Sequence, residues 1–157
     1  MTVAKPLWLD EKCPIEITTA AEFSDHKVRE FLDQIASYYP NFRVWLDFTF
    51  VSQLRGGKRK ALIVKENNEI AGVSLLKKVE EENKICTFFI APQYRSQGYG
   101  KLLMEESLAF LGNQVNITVC EERWKEMQGF LYQYGFRLDA AIPSYYRSGN
   151  SEFFCSR

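Results

Sequence analysis

Ile85-Cys86-Thr87-Phe88-Phe89-Ile90-Ala91-Pro92-Gln93-Tyr94-Arg95-Ser96-Gln97-Gly98-Tyr99-Gly100-Lys101 passes from an apolar run through a turn containing two glycines into a helical pattern. Ile85 to Ile90 has the β-branched and aromatic content of a strand. Beyond the turn, Leu103, Ser107, Leu108 and Leu111 share one helical face, closed by Gly112-Asn113. A helix that begins in this way is an anion site: its first peptide N–H groups lack intrahelical partners and its dipole adds partial positive charge. Gly98 and Gly100, having no Cβ, permit positive φ and let anionic oxygens come close to the backbone. Arg95 and Lys101 would add charge at the rim.

Downstream, Val115, Ile117 and Val119 alternate with Asn116, Thr118 and Cys120, which predicts a strand. Trp124, Met127, Phe130, Leu131 and Tyr134 then mark a helix closed by Gly135, and Phe136 to Tyr146 with Ser151 to Cys155 form a final hairpin. Upstream, Ile15 to Thr19 reads as a short strand. Ser24 or Asp25 caps a helix carrying Val28, Phe31, Leu32, Ile35 and Tyr38. Pro40 stops it, and Phe42, Trp45, Leu46, Phe48, Val51 and Leu54 make a second helix ending at Gly56-Gly57. Ala61 to Val64, Ile70 to Leu76 and Ile85 to Ile90 form an antiparallel meander. Residues 1 to 13 read as an arm lying on the domain, with Trp8 to pin it. The expected fold is therefore α/β, a mixed but mostly antiparallel sheet of about seven strands flanked by about four helices in the order β-α-α-β-β-β-α-β-α-β-β.

The chain's 157 residues, 46% of them hydrophobic, suit one domain spanning 1–157 with a core that needs neither disulfide nor structural metal. Its 20 Lys+Arg balance 20 Asp+Glu, so nothing draws a polyanion from a distance, and a nucleic-acid partner would need a local patch. Cys13, Cys86, Cys120 and Cys155 lack C-x-x-C spacing and read as reduced thiols, with no metal expected. The opening Met1-Thr2-Val3-Ala4-Lys5-Pro6 has no apolar leader, and no run approaches the ~20 residues that span a bilayer. A cytoplasmic protein with no membrane partner is expected.

Two nucleotide motifs fail on spacing. A Walker loop requires Ser or Thr after its lysine, where Leu102 stands, and a glycine five positions before Gly100, where Arg95 stands. The dinucleotide fingerprint needs a third small residue where Leu103 stands. What fits is Arg95-x-x-Gly98-x-Gly100 after Ile90-Ala91-Pro92, which resembles the acetyl-CoA-binding signature [RQ]-x-x-G-x-[GA] of the GNAT N-acetyltransferase superfamily. The element order matches that family's fold, and Tyr134-Gly135-Phe136 resembles its common Gly-Phe ending after the last helix. The resemblance implies acetyl-CoA as cosubstrate. Arg95, Ser96, Gln97, Gly98, Tyr99, Gly100 and Lys101 would hold its pyrophosphate, and the backbone of Phe88, Phe89 and Ile90 would pair with the pantetheine arm. The strands ending near Ile90 and Cys120 would splay to admit that arm. The activity implied is acetyl transfer to a primary amine of a small molecule or polypeptide, by direct attack in a ternary complex.

The chain departs from the family at its acid and base. Many members carry a Glu on the fourth strand, but Ile85 to Ile90 holds none, which leaves ordered water or a Glu outside that strand. The family's F-Y-x-x-x-G-F has Leu131 at the tyrosine position, and an Asn that often faces the pantetheine is Trp124. Tyr132 is the first choice for the acid and Tyr134 the second, while a packed aromatic is the competing reading of each. Cys120 reads as an inert buried thiol and His26 as an exposed side chain without a role. Tyr38, Tyr39, Phe42, Trp45 and Phe48 could wall an apolar or cationic acceptor group, though helical packing explains most of them. Arg55, Lys58, Arg59 and Lys60 read as a solvated basic loop. Two other functions stay open, a non-catalytic acyl-CoA-binding module and toxin-like acetylation of aminoacyl-tRNA, the latter opposed by the neutral charge. The acceptor is not specified, and a homodimer is open because the arm could lie on its own domain or on a second copy.

Overall fold

The computed structural model describes residues 15–157, so the expected arm over residues 1 to 13 lies outside the described residues. The meander forms where its turn chemistry requires. β2 (Arg59–Glu66) turns into β3 (Glu69–Lys78) through Asn67 and Asn68, both at positive φ, a conformation asparagine tolerates. β3 pairs antiparallel with β4 (Asn83–Ile90), and β1 (Ile15–Thr18) pairs with the outer side of β2. A helical crossover then brings β5 (Asn116–Cys120) parallel to β4. The hairpin of β6 (Arg137–Arg147) and β7 (Asn150–Ser156) places β7 against β5. The sheet has seven strands in the order β1-β2-β3-β4-β5-β7-β6.

Helices cover both faces, as the near-continuous apolar runs of β2 to β4 demand. On one face Leu62, Val64, Leu76, Phe88 and Ile90 pack with residues of α5 (Tyr99–Leu111) and α6 (Glu121–Gln133). On the other, Ala61, Ile63, Val73, Leu75 and Phe89 meet the N-terminal helices. Those helices are more broken than their apolar spacing suggests. The first begins at Ala20, so Ser24 and Asp25 lie inside it rather than capping it; it divides at Lys27, whose φ is 56°, into α1 (Ala20–Asp25) and α2 (Val28–Leu32), and runs on as a 3₁₀ segment, Asp33–Tyr38. The second holds a π-helical segment, Leu46–Phe50, between α3 (Phe42–Trp45) and α4 (Val51–Leu54). Apolar periodicity reports which face is buried and is insensitive to one residue that leaves the helical region.

Two irregularities of β4 set up the functional region. Leu75 lies opposite Thr87 but Leu76 opposite Ile85, so Cys86 is the extra residue of a bulge. β4 and β5 pair only at Lys84↔Asn116 and Ile85↔Ile117, then diverge, as the family resemblance implies. No strand pairing joins Thr87–Ile90 to β5.

The helix that leaves the glycine turn is tied to the sheet by a fully buried polar contact. Ser107 of α5 lies 2.8 Å, Oγ to Oγ, from Ser74 of β3 and donates to the Leu103 carbonyl at 2.7 Å. Since a buried hydroxyl stripped of its partner costs about 1–3 kcal/mol, Ser107→Ala is expected to lower unfolding free energy by that amount. The double variant Ser74→Ala/Ser107→Ala should recover part of the loss in a denaturant-unfolding double-mutant cycle. Full additivity of the two losses would show that the pair is not coupled.

Candidate functional site

Two cavities adjoin the divergence of β4 and β5. The first, about 350 Å³, is lined by Phe88, Ile90, Arg95, Ser96, Gly98, Gly100 and Lys101, and by Arg123, Glu126, Met127 and Phe130 of α6. The turn above it is held open by its backbone. Ser96 and Gly98 sit at φ 63° and 90°, and Gly98 occupies the N-cap of α5 without a side-chain cap. Gly100 is helical, contrary to the expectation that both glycines serve through positive φ. A methyl group at Gly100 would meet the Phe130 ring at 3.7 Å and Ile90 at 3.9 Å, ordinary contacts with two cavity walls. The fold itself therefore has room for a side chain there, and the space left clear belongs to the cavity.

Arg95 does more than add charge at the rim. Its Nε donates to the Ile90 carbonyl at 3.1 Å and its Nη1 pairs with Glu126 at 2.9 Å, clamping the end of β4 to α6. Arg123 reaches the same carboxylate at 3.4 Å, with its guanidinium 5.2 Å from the Phe89 ring. Arg95, Arg123 and Lys101 against the single Glu126 leave this cavity with an excess of positive charge.

The second cavity, about 280 Å³, opens on the other face of the sheet. Tyr39, Pro40, Phe42 and Trp45 come from the N-terminal helices, Arg59, Lys77, Glu82, Lys84, Cys86 and Thr87 from the meander, and Thr118 and Tyr146 from β5 and β6. The bulge accounts for Cys86 and Thr87, neighbours in sequence, both lining it. A third, much smaller cavity of about 20 Å³ shares Phe88 and Arg123 with the first and Tyr39, Cys86 and Thr118 with the second. Glu152 on β7 lies beside this region, opposite Cys120 and 3% exposed, with Oε2 lacking any hydrogen-bond partner. Burial pushes its carboxyl above the ordinary range, with the Thr118 hydroxyl and Lys84 opposing. Tyr39 is pushed up by burial and then by the Glu152 charge, and burial likewise raises Cys86 and Cys120.

The structure sorts the residues singled out from sequence. Phe88, Ile90, Arg95, Ser96, Gly98, Gly100 and Lys101 come together at the first cavity. The Phe89 side chain belongs to the opposite core, Tyr99 is 1% exposed in the first core, and Gln97 is exposed with its amide on the Gln93 carbonyl. Tyr132 is 49% exposed, edge-on to Trp124, and lines neither cavity. Tyr134 packs against Phe130 at 5.2 Å and also lines neither. Arg59 is buried in the wall of the second cavity rather than in a solvated loop, because it is the first residue of β2. His26 is half-buried and sits 3.0 Å from Glu16. Arg123 and Glu126 were missed by the sequence reading, although with Met127 and Phe130 they fall on one helical stripe. Glu152 carried no signal, since a lone Glu in a strand reads as solvent-facing.

A family model described as Acetyltransferase (GNAT) domain matches residues 19–149. Among solved structures, an acetyltransferase of the GNAT family from Bacillus cereus is 17% identical, with a TM-score of 0.69 over 92% of this chain and 96% of that one. Naa50 of Arabidopsis thaliana, in complex with the bisubstrate analogue CoA-Ac-MVNAL, is 16% identical, with a TM-score of 0.69 over 93% and 98%. The ribosomal-protein-S18-alanine N-acetyltransferase of Escherichia coli is 19% identical, with a TM-score of 0.69 over 91% and 92%. At such identities these structures speak for the fold alone. No curated protein sequence matches the chain.

Gly100 separates a binding role from a structural one. Gly100→Ala is expected to leave thermal stability unchanged or to raise it by up to ~1 kcal/mol, since alanine favours helix. The signature admits alanine at this position, so its methyl group should leave CoA affinity unchanged, whereas Gly100→Leu, reaching further into the cavity, should lower calorimetric affinity for CoA by about tenfold or more, ~1.4 kcal/mol. Wild-type CoA affinity in the leucine variant would mean that the glycine serves the turn only.

Proposed function

The chain belongs to the GNAT acetyltransferase family, and on that premise we propose that it moves an acetyl group from acetyl-CoA to a primary amine held in the second cavity. The observation that carries this reading is the divergence of β4 from β5, with one cavity on each face of the sheet beside it. When bound, acetyl-CoA supplies an activated acyl carbon: the amine nitrogen bonds to it, the C–S bond breaks, and the sulfur keeps the electron pair and takes up a proton.

The cosubstrate fits the first cavity on three counts. Arg95, Arg123 and Lys101 offer charge to its phosphates, the clear space over Gly100 admits them to the N-terminus of α5, and the edge of Thr87–Ile90 offers backbone groups to an amide-bearing arm. Backbone N–H groups near the Cys86 bulge are suited to receive negative charge developing on the acyl oxygen. The amine must lose a proton, and Glu152 is the carboxylate placed to take it. It is buried, has a free acceptor oxygen, and is shifted toward the range in which a base works at neutral pH. Tyr39, in the wall of the second cavity and of the small cavity beside it, is the acid proposed for the departing thiolate in place of Tyr132.

Glu152 therefore gives opposite signs for activity and stability. Glu152→Gln should lower kcat by about 100-fold or more while leaving CoA affinity intact, and should remove the rise of kcat/KM with pH that the wild type shows through the Glu152 pKa. A group whose folded pKa lies above its unfolded value favours the folded state while protonated and loses that advantage as pH rises. The variant is thus expected to melt above the wild type at pH 8, with the gap closing as pH falls through the folded pKa. Unchanged kcat in a folded variant would remove Glu152 from the mechanism.

A further inference from the structure

The second cavity carries a row of three cations, Arg59, Lys77 and Lys84. Arg59 on β2 lies directly across from Lys77 on β3, and Lys77 across from Lys84 on β4. Like charges opposed across strands repel, and of the three only Lys77 has a carboxylate, Glu82 at 3.0 Å. Arg59 is 8% exposed. Its Nε donates to the Gln53 side-chain oxygen at 2.9 Å, its Nη1 to the Cys86 sulfur at 3.2 Å, and its guanidinium carbon stands 5.8 Å from the Trp45 ring centroid. None of these partners bears an opposing charge. Among the described residues, no carboxylate pairs with Arg59 or with Lys84. Buried charges in folded proteins are ordinarily paired, so a buried guanidinium in a cavity wall without a carboxylate is built for an anion that arrives from outside.

We infer that the acceptor amine also bears an anionic oxygen group, a carboxylate or a phosphate, which docks on Arg59 and Lys84 while the amine lies toward Thr118 and Glu152. This rests on the transferase reading and adds the class of acceptor to it. Of the lining residues the one carboxylate, Glu82, is taken up by Lys77, and Glu152 lies behind Thr118, on β7 and outside the lining. Arginine's planar fork matches a carboxylate or phosphate with two parallel hydrogen bonds, and Lys84 adds a point charge beside it. Tyr39, Phe42 and Trp45 receive the apolar body between the two charged ends. A cationic group against this aromatic wall, one of the two options open from sequence, would face Arg59 and two lysines.

The test uses the full-length protein in two stages. Calorimetry first establishes CoA binding by the wild type. Thiol release from acetyl-CoA is then measured with matched acceptors on one carbon skeleton, an amino carboxylate, its carboxamide and the corresponding amino phosphonate. The anionic acceptors are expected to exceed the carboxamide in kcat/KM by about tenfold or more, and their relative rates identify the anion. Lys84→Ala and Arg59→Gln should each raise KM for the anionic acceptors by about 10- to 100-fold, leaving the carboxamide and CoA affinity unchanged. The half-exposed Lys84 keeps the test valid if the buried Arg59 variant fails to fold. Equal rates for carboxylate and carboxamide, or a folded variant that keeps wild-type selectivity, would overturn this inference while the transferase reading stands. Absence of CoA binding by the wild type would remove both.

Discussion

The parting of β4 from β5 after Ile85 is the constraint on which the rest depends. A sheet that closed its parallel pairing along the whole of β4 would satisfy the backbone and leave no site. Here the ladder stops after Lys84↔Asn116 and Ile85↔Ile117. An unpaired strand edge costs free energy wherever it is shielded from water, so the gap persists only because its surroundings hold it. Arg95 ties the Ile90 carbonyl to Glu126, Arg123 braces the same carboxylate, and Phe88 meets Phe130 with ring centroids 5.7 Å apart. These contacts join β4 to α6 across the opening without filling it.

The two faces of the parted sheet then acquire different chemistry from the same short segment. Alternation along β4 sends Phe88 and Ile90 toward α5 and α6, and Phe89 toward the N-terminal helices. The Cys86 bulge breaks that alternation at the one place where both faces need residues. The result is an electropositive cavity on one side and an aromatic chamber with a row of cations on the other. The divided helices belong to the same design, since the Pro40 break and the π-helical segment beside Trp45 shape the chamber wall.

Most of the fold was legible because it rests on periodicities that survive tertiary context. The strand-turn-helix segment, the meander with its paired asparagines and the closing hairpin all follow from local chemistry. The part of the first cavity within Phe88 to Lys101 was legible for the same reason, while Arg123 and Glu126 on α6 were missed. The second cavity was not. Its walls come from four separated parts of the chain, and its decisive features are relational: Arg59 matters because it is buried beside Lys77 and Lys84, and Glu152 because no donor meets its Oε2. Read alone, one is a member of a basic loop and the other an ordinary strand glutamate. Tyr132 is brought to neither cavity for the converse reason. Its proximity to the family's tyrosine position is sequential, and the rotation of about 100° per residue turns it to solvent.

The proposed function requires the edge of β4 and the turn before α5 to form one continuous seat for CoA. Hydrogen–deuterium exchange of the full-length protein with and without CoA tests it most directly. The account predicts that added CoA slows exchange at the amides of Thr87 to Ile90 and of Gln97 to Lys101, with β1 and β6 unchanged. Exchange at both segments unaltered by saturating CoA would contradict it.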